Sequence, residues 1–204
     1  MTFILGLTGS IGMGKSTTAA LFRERGIPVH DSDAVVHALY RGKAAPLIEE
    51  AFPGTTKEGV VDRSLLAQQV IGNELAMKKL EQIVHPLVRA EEQNFLAQCK
   101  AQSAPLAILD IPLLFETQGE ARCDAVLVVS TDYSVQKTRV LSRPGMTPER
   151  FDAILARQTP DSEKRQRAHF LIDTGHGIAD AARQVDSVLK ALAGRTKTHA
   201  VGKA

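Results

Sequence analysis

Residues 6–17, Gly-Leu-Thr-Gly-Ser-Ile-Gly-Met-Gly-Lys-Ser-Thr, constrain the fold of this chain more than any other stretch. From Gly9 to Ser16 they satisfy the pattern G-x-x-x-x-G-K-[ST] at every fixed position. Phe3-Ile4-Leu5 ahead of the loop is an apolar run suited to a buried strand. Residues 17–23 behind it continue as a helix, with Ala20, Leu21 and Phe22 available for packing. Strand, glycine loop and helix in that order make a phosphate-binding loop. Gly9, Gly12 and Gly14 let the backbone turn tightly and bring its N–H groups against phosphate oxygens. The helix aims the positive end of its dipole at the same anion. The candidate nucleotide-binding run is therefore Gly9, Ile11, Gly12, Met13, Gly14, Lys15, Ser16 and Thr17. Lys15 is placed to reach β- and γ-phosphates, and the Ser16 hydroxyl to ligate Mg²⁺. The loop implies a nucleoside triphosphate; it does not name what receives the phosphate.

The chain has 204 residues, 44% of them apolar, enough for one domain with a full core and room for an insertion. Net charge is +2, and no Lys/Arg stripe with interleaved aromatics appears, so no nucleic-acid partner is expected. Cys99 and Cys123 lack a C-x-x-C partner and read as reduced thiols. No basic start followed by a long apolar stretch marks a signal peptide, and the apolar run at residues 105–115 is broken by Asp110. These features lead us to expect a cytoplasmic enzyme with no membrane partner; oligomeric state is not written in them.

Strand 3–7, the helix to about Arg25, a stop at Gly26 and a second strand at residues 27–30 form a βαβ unit, and so a parallel sheet. Residues 34–104 hold no convincing strand apart from a marginal hairpin at 55–61. Helices are expected at residues 34–40, 46–51 and 63–71, and from Glu74 to about Lys100, where Pro86 should kink or divide the last. Further strands are expected at residues 106–109, 125–129 and 170–173. Helices follow at 133–141 with Thr131 as cap, from 148 to about 158 with Thr147 as cap, from Pro160, and at 178–192. The tail, residues 195–204, is polar and expected to fray. The fold class is thus α/β: a mononucleotide-kinase-like, five-stranded parallel sheet flanked by helices. The single domain has its nucleotide-binding core in residues 1–33 and 105–195, with a helical insertion at 34–104.

Parallel sheets bind ligands outside the carboxyl ends of their strands. Those ends supply the phosphate loop, then Asp31 and Asp33, then Asp110 with Pro112-Leu113-Leu114-Phe115-Glu116. Phosphoryl transfer to an alcohol needs an acceptor for the hydroxyl proton, usually an Asp. Asp31 and Asp33 stand two apart and face opposite ways in an extended segment; apart from catalysis, Asp33 suits a helix N-cap and Asp31 a strand-end turn. Asp110 is suited to orient Mg²⁺ through water. Arg139, Arg150, Arg157, Arg165 and Arg167 read mostly as solvated helix faces. Arg143, beside Pro144-Gly145, stands where a lid over about 139–158 would hinge and bring a guanidinium over the phosphates. His85, before Pro86, reads on its own as a buried histidine bonded to a carbonyl.

Taken together, residues 7–17, Asp31-Ser32-Asp33, His85-Pro86-Leu87-Val88, Pro112-Leu113-Leu114-Phe115-Glu116 and Arg157-Gln158 resemble the dephospho-coenzyme A kinases. The resemblance spans residue 3 to about 190. It implies ATP-dependent phosphorylation of the ribose 3′-hydroxyl of dephospho-coenzyme A, giving coenzyme A and ADP as the last step of coenzyme A synthesis. The helical insertion would hold the acceptor. By resemblance Asp33 is the base, Arg143 and Thr8 belong to the active site, and Thr8, Asp31, Asp33, His85, Leu113 and Phe115 face the substrate. The chain departs from the family at residues 173–175, where it reads Asp-Thr-Gly and the family often has Asn-Gly. The rival readings are another small-molecule or nucleotide kinase and a GTP-dependent switch. Against the switch, the chain lacks both N-K-x-D and D-x-x-G.

Overall fold

A computed structural model describes residues 1–198. β1 (Phe3–Thr8) leads through the glycine loop into α1 (Lys15–Glu24). Gly26, at φ 74°, ends that helix, and β2 (Val29–Asp31) follows. Next come α2 (Ser32–Tyr40), α3 (Ala45–Ala51), the short strands β3 (Thr56–Lys57) and β4 (Val60–Val61), α4 (Arg63–Val70) and α5 (Glu74–Ala101). The remaining elements are β5 (Leu106–Asp110), a 3-10 turn at Gly119–Arg122, β6 (Ala125–Ser130), α6 (Tyr133–Leu141), α7 (Pro148–Leu155), α8 (Asp161–Gln166), β7 (Phe170–Asp173) and α9 (Ile178–Thr198). The backbone of α9 runs past the point where a frayed tail was expected to start, and the rest of that tail lies outside the described residues.

Five strands form one sheet in the order β2-β5-β1-β6-β7. β1 is central and parallel to both neighbours, with Leu7 in register with Asp110 on one side and Leu127 on the other. β7 continues the sheet in parallel, with Ser130 opposite Asp173. Thr8, Asp110, Ser130 and Asp173 therefore end on one rim. β5 and β6 are buried at every position, which accounts for their unbroken apolar runs: a parallel strand covered on both faces has no wet side to alternate towards. Leu5, Leu7, Phe22, Ile108, Leu127, Ile172, Val185 and Leu192 share one core, in which α1 and α9 pack on the sheet. Arg25 fastens those two helices through a forked ion pair to Asp186 at 2.5 and 3.1 Å. The Arg25 guanidinium also holds the Asp186 carboxyl below the usual carboxylate range.

The chain divides into two compact units: Met1–His30 with the chain from Gln98, and Asp31–Ala97. The second unit has its own core of Leu39, Ile48, Phe52, Leu66 and Val84. Its hairpin, two residues a strand, is fastened by Glu49, which accepts hydrogen bonds from the amides of Gly54 and Thr56 and from the Thr56 hydroxyl. Those donors pull the Glu49 carboxyl below its ordinary value.

Three local expectations need correction. Pro86 does not divide α5, which is one element from Glu74 to Ala101. Proline removes a single N–H, and the apolar packing of Leu80 and Val84 holds the turn around it. Thr131 does not cap α6; Asp132 occupies that position, and no side chain closes the helix end. Thr131 is buried instead, with its amide 3.2 Å from the Met13 sulfur. At the start of α2 the cap is Asp31 and not Asp33: the Asp31 carboxylate accepts from the Ala34 amide at 3.0 Å, and Asp33 lies in the first turn. Among the described residues no helix is long and apolar enough to cross a membrane. Neither cysteine is in a disulfide; Cys99 is buried and Cys123 half-buried.

Candidate active site at the strand ends

The loop between β1 and α1 is shaped by what surrounds it. Gly12 sits at φ 79°, and a Cβ there would lie 2.5 Å from Val140 Cγ2 and 3.1 Å from the Gln136 carbonyl oxygen. Gly14 sits at φ 89°, where a Cβ would meet the Thr174 side chain at 3.0–3.2 Å. Only glycine allows both the left-handed turn and this approach of α6 and the end of β7. Gly14 is the N-cap of α1 and offers no side chain to close it. The first-turn amides of Lys15, Ser16 and Thr17 thus point out of the helix without a side-chain acceptor, the arrangement that receives an anion.

Lys15 Nζ lies 2.6 Å from Asp110 Oδ1, and the Asp110 side chain is only 2% exposed. The acid at the end of β5 and the loop lysine at the end of β1 are therefore one unit. Ser16 and Thr17 are exposed beside them. Thr8 is buried and donates to the Pro112 carbonyl at 3.1 Å, joining the end of β1 to the segment after β5.

Side chains from distant segments hold the outer face of the loop. The Ile11 amide donates to Gln158 Oε1 at 3.1 Å, and Gln136 Nε2 donates to the Ile11 carbonyl at 2.7 Å. The Thr174 hydroxyl donates to the Met13 carbonyl at 2.8 Å. Arg139 in turn holds Thr174, by its hydroxyl at 2.9 Å and its carbonyl at 2.7 Å. Next to this bracing lies a cavity of about 390 Å³ whose lining includes Gly14, Thr17, Arg139, Arg143, Thr174 and Ile178. Arg143 is exposed at its wall.

The Pro112–Glu116 stretch, residues 112–116, divides by exposure. Leu113 is 42% exposed, whereas Phe115 is buried with the Arg167 guanidinium 4.2 Å above its ring. Glu116 Oε1 accepts from the Thr159 amide at 2.7 Å and pairs with Lys164 Nζ at 3.0 Å. Burial pushes the Glu116 carboxyl up, but its amide partners and the Lys164 ammonium outweigh burial, so it is held below its ordinary value. In the other unit, Asp33 is exposed in the first turn of α2. His85 is exposed on α5, not buried as its sequence neighbours suggested.

Several of these residues escaped the sequence. Arg139 was grouped with solvated arginines, and nothing in its own helix distinguishes it. Gln136 is buried against Gly12, a fact that helix spacing does not carry. Thr174 was within reach: it follows a parallel strand directly, and the rule that led to Asp31 and Asp110 applies equally to the end of β7.

A parallel sheet of this order, a glycine loop running into a helix, a loop lysine and a strand-end acid define a phosphate-loop kinase. The sequence model of the dephospho-CoA kinases matches residues 3–180, and the chain belongs to that family. A dephospho-CoA kinase of Rhodopseudomonas palustris (strain HaA2) is 59% identical over 190 residues, covering 93% of this chain and 96% of the relative. One from Mesorhizobium japonicum is 57% identical over 192 residues, covering 94% and 98%. The crystal structure of TT1252 from Thermus thermophilus superposes with a TM-score of 0.83 at 37% identity, over 94% of this chain and 98% of that one. A dephospho-CoA kinase from Campylobacter jejuni shares the fold, with a TM-score of 0.67 at 24% identity over 94% and 97% of the two chains.

Proposed function

We propose that the protein transfers the γ-phosphoryl group of ATP to the ribose 3′-hydroxyl of dephospho-CoA, giving CoA and ADP. The observation that carries this reading is the phosphate loop with its Lys15–Asp110 pair, in a chain whose family match runs through 178 residues, from 3 to 180. In the reaction the acceptor oxygen bonds to the γ-phosphorus, the bond from that phosphorus to the β,γ-bridging oxygen breaks, and the hydroxyl proton leaves. Asp33 takes the proton. The loop amides and Lys15 hold the β- and γ-phosphates, and Arg143 neutralises charge on the transferring group. The cavity beside Thr17, Thr174 and Ile178 receives the base of the nucleotide. Thr8, Asp31, His85, Leu113 and Phe115 complete the acceptor side, Phe115 from within the core. Residues 34–104 hold the acceptor, and residues 139–158 close as a lid that excludes water.

Ser16 and Asp110 fit a hydrated Mg²⁺: an exposed hydroxyl in the first turn of α1 beside a buried carboxylate is a hard-oxygen donor set. When bound, the ion offsets phosphate charge. On this reading the enzyme works in the cytoplasm on small molecules, without nucleic acid or membrane.

The deciding assay measures ADP release from Mg-ATP with dephospho-CoA, adenosine, AMP or gluconate as acceptor. Release with dephospho-CoA alone, with CoA as product, is the expected result. Release with a different acceptor would keep the kinase class and discard this substrate.

A further inference from the structure

Ile11 is held at both of its backbone polar groups, on the two peptides that meet at its Cα, by side chains far away in sequence. Gln158 takes its N–H at 3.1 Å and Gln136 gives to its carbonyl at 2.7 Å. Gln136 is 2% exposed, so its amide sits where an unmade hydrogen bond would be costly. Gln158 is itself fixed, because the next amide, that of Thr159, donates to Glu116, and Glu116 pairs with the fully buried Lys164. The Ile11 N–H therefore points at a protein acceptor, and its contribution to a bound phosphate is through the shape of the loop.

The two glutamines also bracket the segment that carries Arg143. Gln136 lies on α6 before the break at residues 142–147, and Gln158 follows α7 after it. Both ends of that segment are thus tied to one residue of the phosphate loop, Ile11.

We propose that Gln136 and Gln158 are positioning residues for nucleotide: they fix the two peptide planes that meet at Ile11, so that the loop meets ATP already ordered. A loop ordered beforehand spends no binding energy on its own immobilisation, so losing the clamp acts on ATP and leaves the acceptor untouched.

The two residues use opposite ends of the amide, which gives a sharp test. Gln158 serves as acceptor, so Gln158→Glu keeps the bond and Gln158→Met abolishes it. Gln136 serves as donor, so Gln136→Glu turns an oxygen on the Ile11 carbonyl. Steady-state kinetics of the full chain should show KM for ATP raised roughly five- to tenfold in Gln158→Met and Gln136→Glu, the effect of one lost hydrogen bond to a buried partner. KM for dephospho-CoA should stay within about twofold of wild type in both, and Gln158→Glu should recover most of the ATP affinity. Equal behaviour of the two glutamate variants would overturn the proposal, as would a parallel rise in both KM values. Should Gln136→Glu fail to fold, the Gln158 pair decides alone: methionine harmful to ATP and glutamate tolerated supports the clamp, and any other ordering removes it.

Discussion

Asp31 uses its carboxylate to close the N-terminus of α2, and that leaves Asp33, two positions on, exposed in the helix's first turn. The division predicts two different mutant phenotypes. Asp33→Asn should lower kcat by about a hundredfold or more, the scale of a lost general base, with the Kd for ATP within about twofold of wild type. Wild-type turnover in that variant would remove Asp33 from the chemistry. Asp31→Ala should instead destabilise the fold by about 1 kcal/mol, as lost caps do, readable as a shifted urea midpoint. Lys15→Ala should damage KM for ATP and kcat together, because the lysine faces phosphates in ground and transition states alike. Asp33 suited the cap by sequence, but an Asp caps equally well at either position; the choice depends on where the strand stops, and β2 runs on only to Asp31, which takes the cap. Lys15 and Ser16 were legible because a phosphate loop confines its chemistry to consecutive residues. Arg139 was not, because its partner lies 35 residues away.

At the scale of elements, the segment after β5 is pinned to α8 by Glu116 and Lys164, and the lysine is completely buried. Replacing Glu116 with Gln leaves that ammonium without its counter-charge and should cost about 3 kcal/mol, the order seen when one member of a buried pair is removed. The effect depends on pH with a fixed sign. Glu116 has a folded-state pKa below its ordinary 4.5, so its contribution is whole above 4.5 and is lost as pH falls through the lowered value. Melting temperatures of wild type and Glu116→Gln should therefore lie apart at neutral pH and draw together on acidification below 4.5. A constant gap down to acid would show that the carboxylate charge is not what the lysine needs. Helices and buried strands were readable here because apolar periodicity and unbroken apolar runs are local properties. Pro86 misled for the same reason: its helix-breaking tendency is local, whereas the packing that overrides it belongs to the core around Leu80 and Val84.

For the whole molecule, nucleotide and fold are linked. Ligand that binds only the folded chain stabilises it by about 2.7 kcal/mol at a hundred times its Kd, so saturating Mg-ADP should raise the melting temperature by several degrees. Lys15→Ala should lose most of that rise at the same concentration, and an undiminished rise would mean that the nucleotide sits elsewhere. The parallel character of the sheet followed from strand–helix–strand spacing, whereas the strand order did not, because spacing says nothing of which strands become neighbours. The bracing of the loop did not, because it is assembled from residues with no sequence proximity. That bracing has a consequence for how the enzyme is made. The glycine loop leaves the ribosome well ahead of the groups that hold it, since Gln136, Gln158 and Thr174 follow it by 125, 147 and 161 residues. The nucleotide-binding motif is thus translated early and completed late, and a nascent chain that stops before β7 carries the whole signature without its working form.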